Sequence, residues 1–192
     1  MNQNRHALEN WDAKDKKLVK DIYEWVEAAV FSLLCVSIIF TFAFRIVGVD
    51  GDSMNTTLFD GERLIISRFS YTPKRGDIVI INRYRQAQEP LVKRVIAVAG
   101  DTLEIDEETY AVIVNGKKLD ETYAIGVTMP IEYYNEYKDN PIPEGYLFVM
   151  GDNREMSRDS RYMSEIGLIR EEDIIGKALF RFYPLNRVGG LY

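Results

Sequence analysis

A run of seventeen residues without a charged side chain, AAVFSLLCVSIIFTFAF at positions 28–44, restricts the possible folds more than any other feature. As a helix the run spans roughly 26 Å, and its continuation through Arg45 to Val49 gives roughly 33 Å. A bilayer core is about 30 Å thick, and an arginine near its edge can extend to the interface. The run therefore predicts a membrane-spanning helix, with a buried helix of a soluble domain as the alternative.

The charges on either side of the run predict its orientation. Five basic residues precede it: Arg5, Lys14, Lys16, Lys17 and Lys20. Downstream only Arg45 and then Arg63 are close. Because lysine and arginine accumulate on the cytoplasmic side, a cytoplasmic tail at 1–25 and a signal-anchor at 26–49 are predicted. A cleaved signal peptide is the rival interpretation, but the run exceeds a typical h-region and no small-x-small exit follows it.

Strand patterns dominate the remainder of the chain. Short runs rich in β-branched and aromatic residues occur at 63–69, 77–83, 91–100, 110–119, 146–151 and 174–183. Asn115-Gly116 is typical of a hairpin turn, and the pattern at 169–174 supports one helical turn at most. The prediction is a mainly β domain at 50–185, with antiparallel sheets coiled into a partly open barrel. Residues 120–142 are predicted to be a surface excursion, and 186–192 a C-terminal tail.

Histidine and cysteine are nearly absent. The single cysteine, Cys35, lies in the apolar run, and the single histidine, His6, lies in the N-terminal tail. The β domain therefore cannot contain a Ser-His-Asp triad, a Cys-His dyad or a common zinc site, and we predict no metal and no cofactor. A net charge of −6 argues against nucleic acid as a partner. A hydrolase of this composition must take its base from lysine or a carboxylate.

Two residues are candidates for such chemistry. Ser53, in VDGDSMNTTL at 49–58, is either a turn residue or a nucleophile, and a serine nucleophile needs a neighbouring base. Lys93 interrupts the apolar strand LVKRVIAVAG, in which Arg94 points to the opposite face, so one of the two faces inward or into a cleft. Burial lowers a lysine pKa, which would make Lys93 a general base; the alternative is an edge-strand lysine that prevents aggregation.

Four blocks of sequence, in this order behind the anchor, resemble the bacterial type I signal peptidases over about residues 15–185. The blocks are GDSMNTTL (51–58), KRGDIVI (74–80), LVKRVIAVAGD (91–101) and MGDNREMSRDSR (150–161). Members of this family are membrane-anchored Ser-Lys proteases that remove signal peptides from exported proteins.

The resemblance implies a role for each matching residue. Ser53 corresponds to the nucleophile, Lys93 to the general base and Ser157 to the serine that orients the lysine amine. Asp159 and Arg161 correspond to a structural ion pair, which the polar loop at 151–161 could also form on chemical grounds alone.

Three positions depart from the family pattern. Gly51 replaces a serine that some members use in the oxyanion hole, so the Ser53 backbone N–H is one implied donor and the second donor stays open. Thr56 and Ala99 each stand where the family usually has proline.

The resemblance also implies a substrate and two alternative functions. An extended signal peptide ending in a small-x-small sequence such as Ala-x-Ala would bind between residues 46–49 and 90–93, with membrane lipid as the second partner. Val49, Met54, Leu91 and Val92 would line its pockets, unless they are ordinary core residues. One alternative is a self-cleaving repressor of related fold, although no DNA-binding segment is present. The other is a catalytically inactive homologue that acts as an assembly or regulatory subunit.

Overall fold

The computed structural model describes residues 3–67, 71–82 and 90–191, and side chains from residue 15 onward. The chain divides into two compact units, Met1–Ala43 and Phe44–Tyr192. The first is one helix, α1 (Gln3–Ala43), which no glycine or proline interrupts. Its stretch Asp15–Ala43 is long and apolar enough to cross a membrane.

The boundary after the helix differs from the prediction. Helix α1 ends at Ala43, and strand β1 (Phe44–Gly48) begins at the next residue. This strand pairs antiparallel with β2 (Arg63–Ser67) along its whole length, from Phe44↔Ser67 to Gly48↔Arg63. The span therefore does not continue through Arg45 to Val49. The apolar and β-branched residues at 44–48 suit a strand as well as a lipid-facing helix. Periodicity alone does not distinguish these two structures.

The second unit is mainly β and antiparallel, as predicted. Its main sheet adds β3 (Ile78–Ile81), β4 (Leu91–Ala97), β8 (Tyr146–Met150), β9 (Ile169–Arg170), β10 (Ile174–Tyr183) and β11 (Gly189–Gly190). The strand order is β1-β2-β10-β3-β4-β8-β9, and β11 pairs with β10. A smaller sheet contains β5 (Leu103–Ile105), β6 (Val112–Val114) and β7 (Lys117–Lys118), with the predicted Asn115-Gly116 turn between the last two. Positions 68, 69 and 83, at the ends of two predicted strands, lie outside the described residues.

Strand β10 curls the main sheet. It pairs with β2 on one side and β3 on the other, and its register shifts at three places, including Ala178/Phe180 and Ile174/Gly176. Such irregularities bend a strand and increase its twist, which gives the partly open barrel.

The tract at 120–142 contains no helix or strand in the part of the chain that the structure describes. It is nevertheless anchored, because Tyr133 and Ile142 are buried in an apolar cluster with the smaller sheet. The Tyr133 hydroxyl also donates a hydrogen bond to the Leu103 carbonyl at 2.5 Å.

Candidate functional site

Ser53 lies in the segment between β1 and β2, which we call the nucleophile segment (residues 49–62). Gly51 turns the chain with φ +79°, a conformation that favours glycine. The Leu58 N–H then bonds to the Met54 carbonyl at 2.9 Å to form one tight turn. Met54 and Leu58 are buried in an apolar cluster with Val49. These anchors hold the Ser53 hydroxyl at a defined, partly exposed position.

Lys93 lies on the central strand β4, opposite Val79 of β3, and is only 4 % exposed. Its Nζ donates a hydrogen bond to Ser53 Oγ at 2.8 Å. The fold thus joins two side chains that are forty residues apart in the sequence. A serine and an amine at this distance can exchange a proton directly.

Burial makes that exchange possible near neutral pH. Desolvation lowers the pKa of Lys93 from 10.5 to about 8. The carboxylates of Asp159 and Asp152 oppose this decrease, and the Arg161 guanidinium adds to it. With a pKa of about 8, about one Lys93 in ten is neutral at pH 7, against about four in ten thousand for an exposed lysine.

The same burial has a cost in stability, which the variant Lys93→Met should remove. The unfolded chain binds the Lys93 proton more tightly than the folded chain, so the charged amine destabilises the fold below pH 8. We expect Lys93→Met to raise the free energy of unfolding at pH 7 by about 3 kcal/mol. The gain should shrink as pH rises from 8 to 10.5 in urea unfolding of the full chain. An exposed-lysine control, Lys138→Met, should show no such trend, and a gain that does not vary with pH would contradict this explanation.

The loop at 151–161 packs directly against the nucleophile. A Cβ atom on Gly151 would lie 2.3 Å from Ser157 Oγ and 2.4 Å from the Ser53 carbonyl oxygen, so only glycine fits. The Asn153 N–H donates to that same carbonyl at 3.0 Å. Ser157 is buried, and its hydroxyl bonds to no partner among the described residues. A buried hydroxyl without a partner is uncommon, and this one lies beside the residue that carries the nucleophile.

Asp159 and Arg161 form a fully buried ion pair within the same loop. Two parallel hydrogen bonds join them, at 2.8 and 2.9 Å. Asp159 also accepts the Gly151 N–H at 3.0 Å, and Arg161 donates to the Arg154 carbonyl at 2.7 Å. The pair therefore holds the loop backbone where it meets Ser53.

A second buried ion pair was not found from the sequence. Arg94 donates to both carboxylate oxygens of Asp152, at 2.8 and 2.7 Å. The Thr57 hydroxyl donates to Asp152 as well, at 2.5 Å. Strand alternation predicted that one of Lys93 and Arg94 would face inward, but both are buried because Asp152 neutralises Arg94. In the sequence, the indication of this ion pair is Asp152, the acidic residue that directly follows Gly151.

A third pair connects the 120–142 tract to the loop. Arg154 is buried and bonds to both oxygens of Glu121, at 3.0 and 2.6 Å, and to the Thr128 hydroxyl at 2.7 Å. Sequence reasoning treated this tract as a surface loop and missed the connection.

The backbone N–H groups of Ser53 and Gly51 differ in their hydrogen bonding. Within the described residues, the Ser53 N–H bonds to no acceptor and remains available. The Gly51 N–H, in contrast, donates to Asp60 Oδ1 at 2.9 Å. Gly51 has no side chain and its amide is engaged, so the geometry does not favour it as a second donor.

Two strand edges near Ser53 and Lys93, at residues 46–48 and 91–93, have no second partner strand among the described residues. Strand β1 pairs only with β2 among the described strands. On β4, residues 91–93 pair with β3 but not with β8, whose pairing starts at Arg94. A cavity of about 320 Å³ lies beside β1 and the residue that precedes β4. Its lining residues are Arg45, Ile46, Val47, Ile80, Asn82, Pro90 and Ile175.

The predicted pocket residues separate into two groups. Val49, Met54 and Val92 belong to one apolar cluster and are 5 %, 1 % and 8 % exposed. Leu91 instead packs against the cluster that contains Val79 and Ile81. In the described part of the chain, no three metal-ligating side chains come together.

The chain is similar in sequence to several known proteins. The family model described as "Signal peptidase, peptidase S26" matches residues 22–183. Signal peptidase I P of Bacillus subtilis subsp. natto is 36% identical over 183 residues, which cover 91% of this chain and 96% of that protein. Signal peptidase IB of Staphylococcus aureus (strain COL) is 35% identical and covers 87% and 92% of the two chains. A crystal structure of a signal peptidase I from Enterococcus faecalis aligns at a TM-score of 0.44 and 27% identity, over 56% of this chain and 97% of that one.

Proposed function

The chain belongs to the signal peptidase family, peptidase S26, and from this premise we propose that Ser53 is its nucleophile and Lys93 its general base. As a member of this family it is a serine peptidase that removes signal peptides from preproteins. The observation that carries the assignment of the dyad is the 2.8 Å hydrogen bond between Ser53 Oγ and a buried Lys93 Nζ.

The reaction follows from this pair. Neutral Lys93 takes the Ser53 proton while Oγ attacks the carbonyl carbon at the end of the signal peptide. The Ser53 N–H stabilises the oxyanion of the tetrahedral intermediate. Protonated Lys93 then gives its proton to the leaving amine, which frees the mature protein and leaves an ester on Ser53. Lys93 next deprotonates a water that attacks the ester and then returns that proton to Ser53 Oγ, so that Ser53 is regenerated and the signal peptide leaves as a carboxylic acid that ionises in water.

We assign supporting roles to the loop at 151–161. Ser157 orients the Lys93 amine in this proposal: its buried hydroxyl lies beside Gly151 and has no hydrogen-bond partner among the described residues, so it is available to bond to that amine. The Asp159–Arg161 pair keeps Gly151 in place through the Gly151 N–H.

The substrate strand lies between β1 and residues 91–93 and bonds to both open edges. Backbone hydrogen bonds at two edges supply affinity, and side-chain pockets supply specificity. Val49, Met54 and Val92 are buried in one apolar cluster and expose little surface, so a pocket beside them has room only for small side chains. Leu91, which packs elsewhere, contributes less.

The chain is a single-pass membrane protein in this proposal. Helix α1 supplies the span within residues 15–43, and the domain from residue 44 onward lies on the extracytoplasmic side. The lysine and arginine excess before the span supports this orientation. Membrane lipid is the second partner, and no metal or nucleic acid takes part.

A cleavage assay tests the function. The full chain should cleave a preprotein whose signal ends in Ala-x-Ala, and mass spectrometry should place the cut after the last alanine. Leucine in place of that alanine should lower kcat/KM by about 10- to 100-fold, since it must be forced into a packed surface. Ser53→Ala serves as the blank, and wild-type cleavage equal to that blank would contradict the proposal. A folded wild type that binds the preprotein without cutting it would favour the inactive homologue.

A further inference from the structure

Residues 184–191, which the sequence predicted as mostly tail, fold back onto the nucleophile segment. They form a short 3₁₀ turn (Leu185–Arg187) and strand β11, which pairs with Phe180 and Arg181. Leu191 is 8 % exposed and belongs to the same apolar cluster as Val49, Met54 and Leu58. Leu191 therefore connects this segment to the cluster that contains Met54, the residue after Ser53.

A buried carboxylate holds the end of the nucleophile segment. The Glu62 side chain is 3 % exposed and pairs with two arginines, Arg181 at 3.2 Å and Arg187 at 2.8 Å. The Glu62 carbonyl also accepts the Val49 N–H at 2.8 Å, which closes the segment at its base. Removal of one partner from such a buried group leaves an uncompensated charge.

The two arginines reach beyond Glu62 into the segment. Arg181 donates to the Thr57 carbonyl at 2.8 Å and to the Arg187 carbonyl at 2.6 Å. Arg187 lies over the Phe59 ring at 4.2 Å. Thr57, four residues after Ser53, is thus held by Arg181 through its carbonyl and by Asp152 through its hydroxyl. The segment has no strand of its own here, so its backbone acceptors need donors from elsewhere.

We propose that Glu62, Arg181 and Arg187 are positioning residues that keep Ser53 Oγ within hydrogen-bond distance of Lys93. The proposal rests on the proposed function of the dyad. A nucleophile displaced by about 1 Å can lose about 10²-fold in rate. Loosening the base of the segment should therefore reduce the chemical step and leave substrate binding at the sheet edges largely intact.

The test compares Glu62→Gln, Arg187→Gln and the double variant in the full chain, with signal peptide cleavage as the assay. We expect each single variant to lower kcat at least tenfold per folded molecule, with KM within about threefold of the wild type. The double variant should lose less than the product of the two single losses, because both variants remove the shared Glu62–Arg187 pair. Lys138→Gln, which removes the exposed pair with Glu104, is the matched control and should keep the wild-type kcat.

The possible outcomes distinguish failure of the positioning role from failure of the proposed dyad. Variants that unfold more easily but keep the wild-type kcat per folded molecule would overturn the positioning role. A strictly additive loss in the double variant would overturn the coupling of Glu62 to Arg187. If Glu62→Gln does not fold, the kcat of Arg187→Gln alone tests the positioning role. Arg187 is partly exposed, so its replacement should disturb folding less than replacement of the buried Glu62. A wild type that fails to cleave, or a Ser53→Ala variant that cleaves equally well, would instead refute the function of the dyad.

Discussion

Lys93→Met and Ser53→Ala are each expected to lower kcat/KM for signal peptide cleavage by at least about 10⁴-fold. Without Lys93 no neutral amine lies beside Ser53 Oγ, and without Ser53 there is no oxygen to form the ester. Because the two residues act as one unit, the double variant should be no slower than either single variant. Steady-state cleavage of an Ala-x-Ala preprotein measures all three.

The pH profile of the wild type checks which form of Lys93 is active. Because the proposed base is the neutral amine, kcat/KM should rise with pH and level off above about 8, where Lys93 has lost its proton. Lys138→Met should reproduce the wild-type profile. Activity of Lys93→Met within tenfold of the wild type would rule out Lys93 as the base, as would a profile with no change near pH 8.

Gly151→Ala is expected to lower kcat/KM about 10²-fold or more, although the change adds one methyl group. The new Cβ would meet the Ser53 carbonyl oxygen at 2.4 Å and Ser157 Oγ at 2.3 Å. A side chain can rotate away, but the carbonyl belongs to the backbone of the nucleophile, so Ser53 must move. A displacement of about 1 Å is enough for this loss. The measurement is kcat and KM together, and kcat should account for most of the change.

Gly176→Ala provides the matched control for that experiment. Its Cβ would meet the Ser67 carbonyl oxygen at 2.1 Å, an equally tight backbone contact away from the dyad. Both variants should lose stability, by roughly 1–3 kcal/mol. Only Gly151→Ala should lose kcat per folded molecule, and equal losses in the two variants would show that the effect is general destabilisation.

The sequence predicted the parts of the fold that depend on local pattern. Alternating β-branched runs identified β2, β3, β4, β8 and β10, and Asn115-Gly116 identified the hairpin of the smaller sheet. The candidate pair Ser53 and Lys93 came from the near-absence of histidine and cysteine together with the family motifs. The structure then placed these two side chains 2.8 Å apart.

What the sequence did not predict depends on partners that are distant along the chain. The alternation along β4 indicates that Lys93 and Arg94 face opposite sides of the sheet. It carries no information about Asp152, which lies outside the strand and makes burial of Arg94 possible. Glu121 and Arg154 lie in two segments that both resemble surface loops until they are brought together. Strand β1 was missed for a related reason, since an apolar stretch after a helix fits either a longer helix or a strand.

The open edges described for β1 and for residues 91–93 also affect how the domain behaves before it meets a substrate. Exposed strand edges are templates for any extended chain, and most proteins cover or charge them to prevent self-association. In the proposed binding mode the same edges must stay accessible, because the substrate strand bonds there. Protection against unwanted strand pairing therefore cannot come from covering the edges permanently. The short length of the open edges and the curl that β10 imposes on the sheet are the features that limit such pairing.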